Sequence, residues 1–252
     1  MINITLIQTD IVWENISENL KLYQEKINNI QSDVIVLPEM FTTGFTMNPT
    51  YLAEEMNGLT VNWMRENSKR LDSAICGSII IKEKNKYYNR FIWVNPDGTI
   101  YHYDKKHLFP SGEGENYTSG KSKLVIEYKG WKICPLICYD LRFPVWSRNV
   151  EDYDILLYVA NWPAKRKQAW KNLLVARAIE NQSYVIGVNR VGTDDNGNLY
   201  SGESSLVNPV GETLYIRSHS EDIYTTTLTK LEIEKIRKQL PFLNDRDKFT
   251  IK

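Results

Sequence analysis

The sequence predicts an α/β protein of stacked layers with mixed sheets. Three observations predict it. β-Rich runs alternate with amphipathic helical stretches in both halves of the chain, the pattern of a layered α/β fold. Some runs are joined by only two to four polar residues, as at Glu83-Lys84-Asn85-Lys86 and Lys129-Gly130, and such neighbours pair antiparallel. Others, such as Val34-Ile35-Val36-Leu37, are continuously apolar, as strands covered on both faces are. Two sheets with helices outside satisfy all three; periodicity leaves the strand order open.

Taken in order, Ile2 to Gln8 alternates and is a strand. Glu14 to Gln31 sets Ile16, Leu20, Tyr23, Ile27 and Ile30 at helical spacing, so it is an amphipathic helix. Val34 to Leu37 is a buried strand and Leu59 to Leu71 a helix. Ala74 to Lys82 and Tyr87 to Val94 are strands. Asn95-Pro96-Asp97-Gly98 turns the chain into a strand from Thr99 to Tyr103. Leu124 to Tyr128 and Trp131 to Ile137 form a second close pair, after which Pro144 opens a short helix. Asp154 to Ala160 is a strand, Arg166 to Glu180 a helix and Tyr184 to Val191 a strand. After the turn Asp194-Asp195-Asn196-Gly197 come strands at Ser205 to Asn208, Leu214 to Arg217 and Ile223 to Leu228, then a helix from Leu231 to Leu240.

A length of 252 residues without a Pro/Gly/Ser-rich linker, charge block or low-complexity segment predicts a single domain, residues 1–252. The apolar fraction of 42% suffices for a full core. Lysine plus arginine equals aspartate plus glutamate at 31 each, which gives no support to a nucleic-acid or membrane-surface partner. Met1-Ile2-Asn3-Ile4-Thr5-Leu6 reads as a strand rather than a signal peptide, and no run has the length of a membrane span. Three cysteines argue against a disulfide framework. The expected compartment is the cytoplasm.

Three segments carry chemistry. In Ile137-Cys138-Tyr139-Asp140-Leu141-Arg142-Phe143-Pro144, Cys138 falls where an apolar strand meets a polar turn. The thiol there is rigidly held yet reachable, and the turn's N–H groups are placed to lower its pKa and hold an oxyanion. In Leu37-Pro38-Glu39, Glu39 ends a buried strand, the edge where catalytic groups of α/β proteins gather. Apolar neighbours raise a carboxylate's pKa toward that of a general base. In Tyr103-Asp104-Lys105-Lys106-His107-Leu108-Phe109, a basic run lies between a strand and apolar residues, so one lysine points inward and can stabilise a thiolate or oxyanion. Base, cation and thiol on three strand ends are the components of acyl transfer through a thioester. Competing readings are a zinc site of Cys134, Cys138, His102 and His107, a Cys–His hydrolase using His107, and a binding module without chemistry. Residues four apart on a strand lie about 13 Å apart, which disfavours the zinc site; the Cys–His reading leaves Glu39 and the lysine unexplained.

These three blocks, in this order, resemble the nitrilase superfamily of carbon–nitrogen hydrolases. The similarity continues through Ala160-Asn161-Trp162-Pro163, Ala176 to Gln182, Gly187 to Gly192, Ser201-Gly202-Glu203-Ser204 and Asn208 to Glu212, nearly the whole chain. The resemblance implies a four-layer α-β-β-α sandwich with two mixed sheets and a Glu–Lys–Cys triad. It assigns Cys138 as nucleophile, Glu39 as general base, and Lys105 rather than Lys106 as the triad lysine, with the N–H of Tyr139 sharing the oxyanion. A second active-site glutamate follows the lysine block; Glu113 is preferred and Glu115 stays open. Met40 to Met47 and Leu240 to Phe249 are similar to the omega-amidase branch, whose members hydrolyse the terminal amide of keto-acid monoamides such as 2-oxoglutaramate and 2-oxosuccinamate. Nitriles or N-carbamoyl amino acids are the alternative substrates. The resemblance implies no metal or organic cofactor, and commonly a homodimer. For substrate binding, Arg142 has the planar fork a carboxylate needs, unless it pairs with Asp140. Phe41, Tyr139 and Trp162 are candidate pocket walls, with core packing the alternative for each.

Overall fold

A computed structural model describes residues 1–250 of the chain. The strands are β1 (Ile2–Gln8), β2 (Val34–Val36), β3 (Ala74–Glu83), β4 (Lys86–Val94), β5 (Ile100–Asp104), β6 (Ile126–Tyr128), β7 (Trp131–Ile137), β8 (Ile155–Ala160), β9 (Tyr184–Asn189), β10 (Val191–Thr193), β11 (Leu199–Val207), β12 (Thr213–Ser218) and β13 (Asp222–Leu228). The helices are α1 (Ile16–Ile27), α2 (Pro49–Leu52), α3 (Leu59–Leu71), α4 (Glu113–Asn116), α5 (Pro144–Ser147), α6 (Lys167–Asn181) and α7 (Lys230–Gln239).

One sheet runs β13-β1-β2-β3-β4-β5; the other runs β10-β11-β9-β8-β7-β6, with β12 paired to β11. Both are mixed, as the short turns require. β1, β2 and β3 are parallel and continue through the antiparallel hairpins to β4 and β5. β7, β8 and β9 are parallel, with antiparallel β6 and β11 on either side. Between the sheets, Ile4, Val36, Cys76 and Trp93 of the first belong to one apolar cluster with Ile133, Ile137 and Leu157 of the second. The opposite face of the first sheet, with Ile35, Ile75 and Ile92, meets Leu20, Tyr23 and Ile27 of α1 and Val61 and Met64 of α3. Helix α6 covers the second sheet. Gly187 permits its approach, because a Cβ there would lie 2.6 Å from Trp170 and 2.8 Å from Leu174. The layers are therefore helix, sheet, sheet, helix, as expected.

The differences from the sequence expectations have local causes. Helix α1 begins only at Ile16, because Glu14 takes a left-handed φ of 51° and Asn15 caps the helix by accepting the Glu18 N–H, worth about 1 kcal/mol. The strand expected over Tyr184 to Val191 is divided at Arg190. That buried guanidinium donates to the carbonyls of Ile11 and Val191 and pairs with Asp10, and β10 then turns to β11. Strand β11 starts at Leu199, six residues before the expected Ser205. Its polar stretch Ser201-Gly202-Glu203-Ser204 is buried, with a register shift between Gly202 and Ser204. The Gln8 side chain fills the space beside Gly202 and accepts the Ser204 N–H, so no apolar alternation marks the strand. The one-turn helices α2 and α4 are too short to show periodicity. Among the described residues no helix is long and apolar enough to cross a membrane.

Candidate active site

Glu39 follows β2, and its neighbours are held to β3. Leu37 N–H donates to Cys76 O (2.7 Å), and Met40 N–H to Ser78 Oγ (2.9 Å). Cys138 follows β7 and opens a 3₁₀ turn, Cys138–Arg142. Both Met40 and Cys138 have φ near 43°, a left-handed conformation costing a non-glycine residue about 1–2 kcal/mol. Each turn is held by surrounding bonds. Asp140 accepts from Ile137 N (3.0 Å), His107 N (3.0 Å) and Tyr103 Oη (2.7 Å), and bonds His107 Nδ1 (2.7 Å). Lys105 follows β5, with its N–H on Asn89 O (3.0 Å) and its carbonyl accepting Gly120 N–H (2.8 Å). Glu113 opens α4.

The three strand ends meet. Lys105 Nζ lies 3.0 Å from Glu39 Oε1 and 2.9 Å from both carboxylate oxygens of Glu113, and all three side chains are fully buried. Asn89 Nδ2 bridges the carboxylates, 2.8 Å from Glu39 Oε1 and 3.2 Å from Glu113 Oε1. Its amide is oriented by the Ser78 hydroxyl, which donates to Asn89 Oδ1 (2.8 Å). Asn161 donates its N–H to Glu39 Oε2 (2.7 Å) and its Nδ2 to Glu39 O (2.5 Å). Phe109 N–H donates to Glu113 Oε2 (2.6 Å). Of the two glutamates left open by the sequence, Glu113 faces Lys105 and Glu115 is exposed. Lys106 points elsewhere, its Nζ 5.6 Å from the Trp146 ring.

Two carboxylates and one ammonium leave this cluster with one net negative charge. Burial acts to lower the Lys105 pKa, but Glu113 and then Glu39 raise it above the ordinary lysine range. Burial raises Glu113, against the pull of Lys105. Burial, and then the charge of Glu39, push the Cys138 thiol well up, with Lys105 opposing. The lowered thiol pKa expected from the turn's N–H groups is therefore overturned: a thiolate here would add a second negative charge to a desolvated site. Cys138 rests as the thiol and needs a base to react.

Cys138 opens onto a pocket of about 250 Å³. Phe45, Met47, Phe109, Tyr139 and Trp162 wall it, and Lys105, Asn161, Arg142, Lys165 and Arg166 also reach it. Phe41, expected as a wall, lies elsewhere. The left-handed turn at Met40 carries it under the first sheet, fully buried against Tyr23 (ring centroids 5.3 Å apart) and Trp63 (6.3 Å). Phe45 stands in the wall, 5.2 Å from Lys105 Nζ. Arg142 lies 5.0 Å over the Trp162 ring; Asp140 is committed to Tyr103, His107 and the Ile137 N–H. His107 stacks on Phe143 at 3.6 Å and braces the Cys138 turn. Among the described residues no cluster of His, Cys, Asp and Glu could hold a metal. Sequence reasoning missed Asn89, Asn161, Phe45, Phe109 and Arg166. Asn161 follows β8 as Glu39 and Cys138 follow β2 and β7, a position that could have marked it. Cys76 and Cys134 are buried, and burial raises both thiols, Cys134 to about 12. Native protein is expected to take one equivalent of iodoacetamide, at Cys138, and unfolded protein three, read by intact-mass spectrometry.

A helix–sheet–sheet–helix sandwich with Glu39, Lys105 and Cys138 at its strand ends, and Glu113 beside them, is the arrangement of a carbon–nitrogen hydrolase. The carbon–nitrogen hydrolase family model matches residues 3–238, and the chain belongs to that family, the nitrilase superfamily its three blocks resemble. It is 47% identical to the omega-amidase YafV of Yersinia enterocolitica, over 99% of this chain and 98% of that protein. It is 33% identical to the 2-oxoglutaramate amidase of Bacillus subtilis, over 96% of each. Among solved structures it is similar to a CN-hydrolase superfamily protein of Xanthomonas campestris with an arsenic adduct in its active site: TM-score 0.97, 40% identity, covering 100% of this chain and 99% of that one.

Proposed function

We propose that this chain is an omega-amidase, a hydrolase that converts small omega-amido keto acids such as 2-oxoglutaramate and 2-oxosuccinamate to the dicarboxylate and ammonia. The full-length similarity to an omega-amidase carries the substrate class. The buried Glu39–Lys105–Glu113 cluster beside Cys138 supports the chemistry. Glu39 takes the Cys138 proton as sulfur attacks the amide carbon, so the site keeps its single net negative charge. Lys105 and the Tyr139 N–H hold the oxyanion. Glu39 passes the proton to nitrogen, the carbon–nitrogen bond breaks, ammonia leaves and a thioester remains. Glu39 then deprotonates a water that attacks the thioester, and the thiol is restored. Glu113 fixes Lys105. The steps use only side chains, backbone and water.

Arg142 and Arg166 supply cations for the substrate's distal carboxylate. The product gains a second carboxylate beside Glu39 and Glu113, and like-charge repulsion favours its departure. The reading also takes residues 1–252 as one catalytic unit, in the cytoplasm, and as a homodimer. Exposed Val145, Ile179, Val210 and Phe249 support the last, since α5, the end of α6 and the C-terminal segment come together there. The test is ammonia release from both keto-acid amides beside an aliphatic nitrile. Release from the amides and none from the nitrile is expected. No release from either amide would transfer the assignment to nitrile or N-carbamoyl substrates.

A further inference from the structure

We infer that Arg166 is the specificity-determining residue that admits 2-oxo acid amides and rejects their 2-amino counterparts. The inference rests on the omega-amidase reading and names how that same pocket selects. Arg166 ends the 3₁₀ turn Ala164–Arg166, and its backbone is tied on both sides. Its N–H donates to Pro163 O (2.9 Å), and its carbonyl accepts Trp162 Nε1–H (2.9 Å). Its guanidinium lies 4.9 Å over the Phe109 ring. Phe109 in turn gives its N–H to Glu113, so the group that fixes Arg166 also fixes the catalytic cluster. Arg142 is the more exposed of the two arginines.

The charges around Arg166 are one-sided. None of the described residues lining the pocket is acidic, whereas Lys105, Arg142, Lys165 and Arg166 all line it. Lys105 is neutralised from behind by Glu39 and Glu113. Glu203, the buried acid of β11, faces Lys167 at 3.9 Å rather than Arg166. A 2-oxo acid presents a carboxylate oxygen and a coplanar oxo oxygen, two acceptors that match the parallel donors of a guanidinium. A 2-amino acid presents an ammonium at the position of the oxo group. It has no acidic partner in this pocket and meets a fixed cation, an arrangement that discriminates by repulsion as well as attraction.

The test measures kcat/KM for 2-oxoglutaramate and for its 2-amino counterpart, glutamine, in the parent and in Arg166→Gln, Arg166→Lys and Arg166→Glu. The expected parent strongly prefers the keto acid. Arg166→Gln lowers the keto-to-amino ratio about 100-fold, and Arg166→Lys lowers it less. Arg166→Glu lowers it further and raises glutamine turnover in absolute terms, a gain that a damaged fold cannot produce. An unchanged ratio, including an equal loss on both substrates, in a series whose parent hydrolyses 2-oxoglutaramate overturns the inference alone. A parent inactive on 2-oxoglutaramate overturns the functional reading and the inference with it.

Discussion

Replacing Cys138 by alanine is expected to cut ammonia release at least about 10⁴-fold, and Glu39→Gln to do nearly the same. Neither loss adds to the other. Burial and the Glu39 charge hold the thiol pKa up, so in the proposed mechanism a site without Glu39 loses the acceptor for the thiol proton, and a site without sulfur gives Glu39 no nucleophile to activate. Steady-state ammonia release from the double variant, compared with each single one, checks this. A double variant far below both singles would show that the two groups act in separate steps. Circular dichroism of Cys138→Ala is expected to match the parent, since the turn is held by Asp140 rather than by the sulfur.

Lys105→Met is expected to have the largest effect on stability, about 3–5 kcal/mol, because it leaves two buried carboxylates without their cation. Its pH dependence has a definite sign. In the parent, Lys105 has a folded pKa above the ordinary 10.5, so its contribution is complete below that value and is lost only as pH rises through the folded value. Glu113 already lies above its ordinary 4.5, and removal of Lys105 raises it further. A carboxylate raised by folding stabilises least when ionised. The variant is therefore most stable below its unfolded carboxylate pKa and loses stability as pH climbs through the folded value. Urea midpoints of parent and variant are expected to converge in acid and diverge toward neutrality. Parallel midpoints across that range would mean that the cluster is not charged as described.

The elements bearing the site were legible because each has a strong period or a sharp boundary. The apolar runs before Glu39 and Cys138 announced buried strands, and the turn after Val94 announced the hairpin that delivers Lys105. What was illegible depends on contacts between elements distant in the chain. Asn89 lies mid-strand between Tyr88 and Arg90, and only the packing turns its amide between two carboxylates. Asn161 reaches Glu39 from the other sheet, 122 residues away in sequence. Phe41 was misplaced because spacing does not report the left-handed turn at Met40 that sends it away from the pocket. The choice between Glu113 and Glu115 required one helical turn, α4, to assign an inside and an outside. Arg166 carried no signal of its own, since an arginine opening a helix usually faces water.

The pairing of β1 with β13 joins Ile2 to Leu228 and Gln8 to Asp222. In the finished protein this places the second strand of its sheet against a partner from near the other end of the chain. During synthesis the same arrangement imposes a delay. β1 is made more than 200 residues before β13, so one of its two edges has no neighbour until residue 222 has been added. At about 5–20 residues per second this takes on the order of 10–45 s. Over that interval Ile2-Asn3-Ile4-Thr5-Leu6-Ile7-Gln8 exposes a row of free backbone donors and acceptors, the kind of edge that pairs with other chains. Closure of the first sheet thus waits for Asp222 to Leu228, and a nascent chain stalled before Asp222 carries an adhesive strand over Ile2 to Gln8.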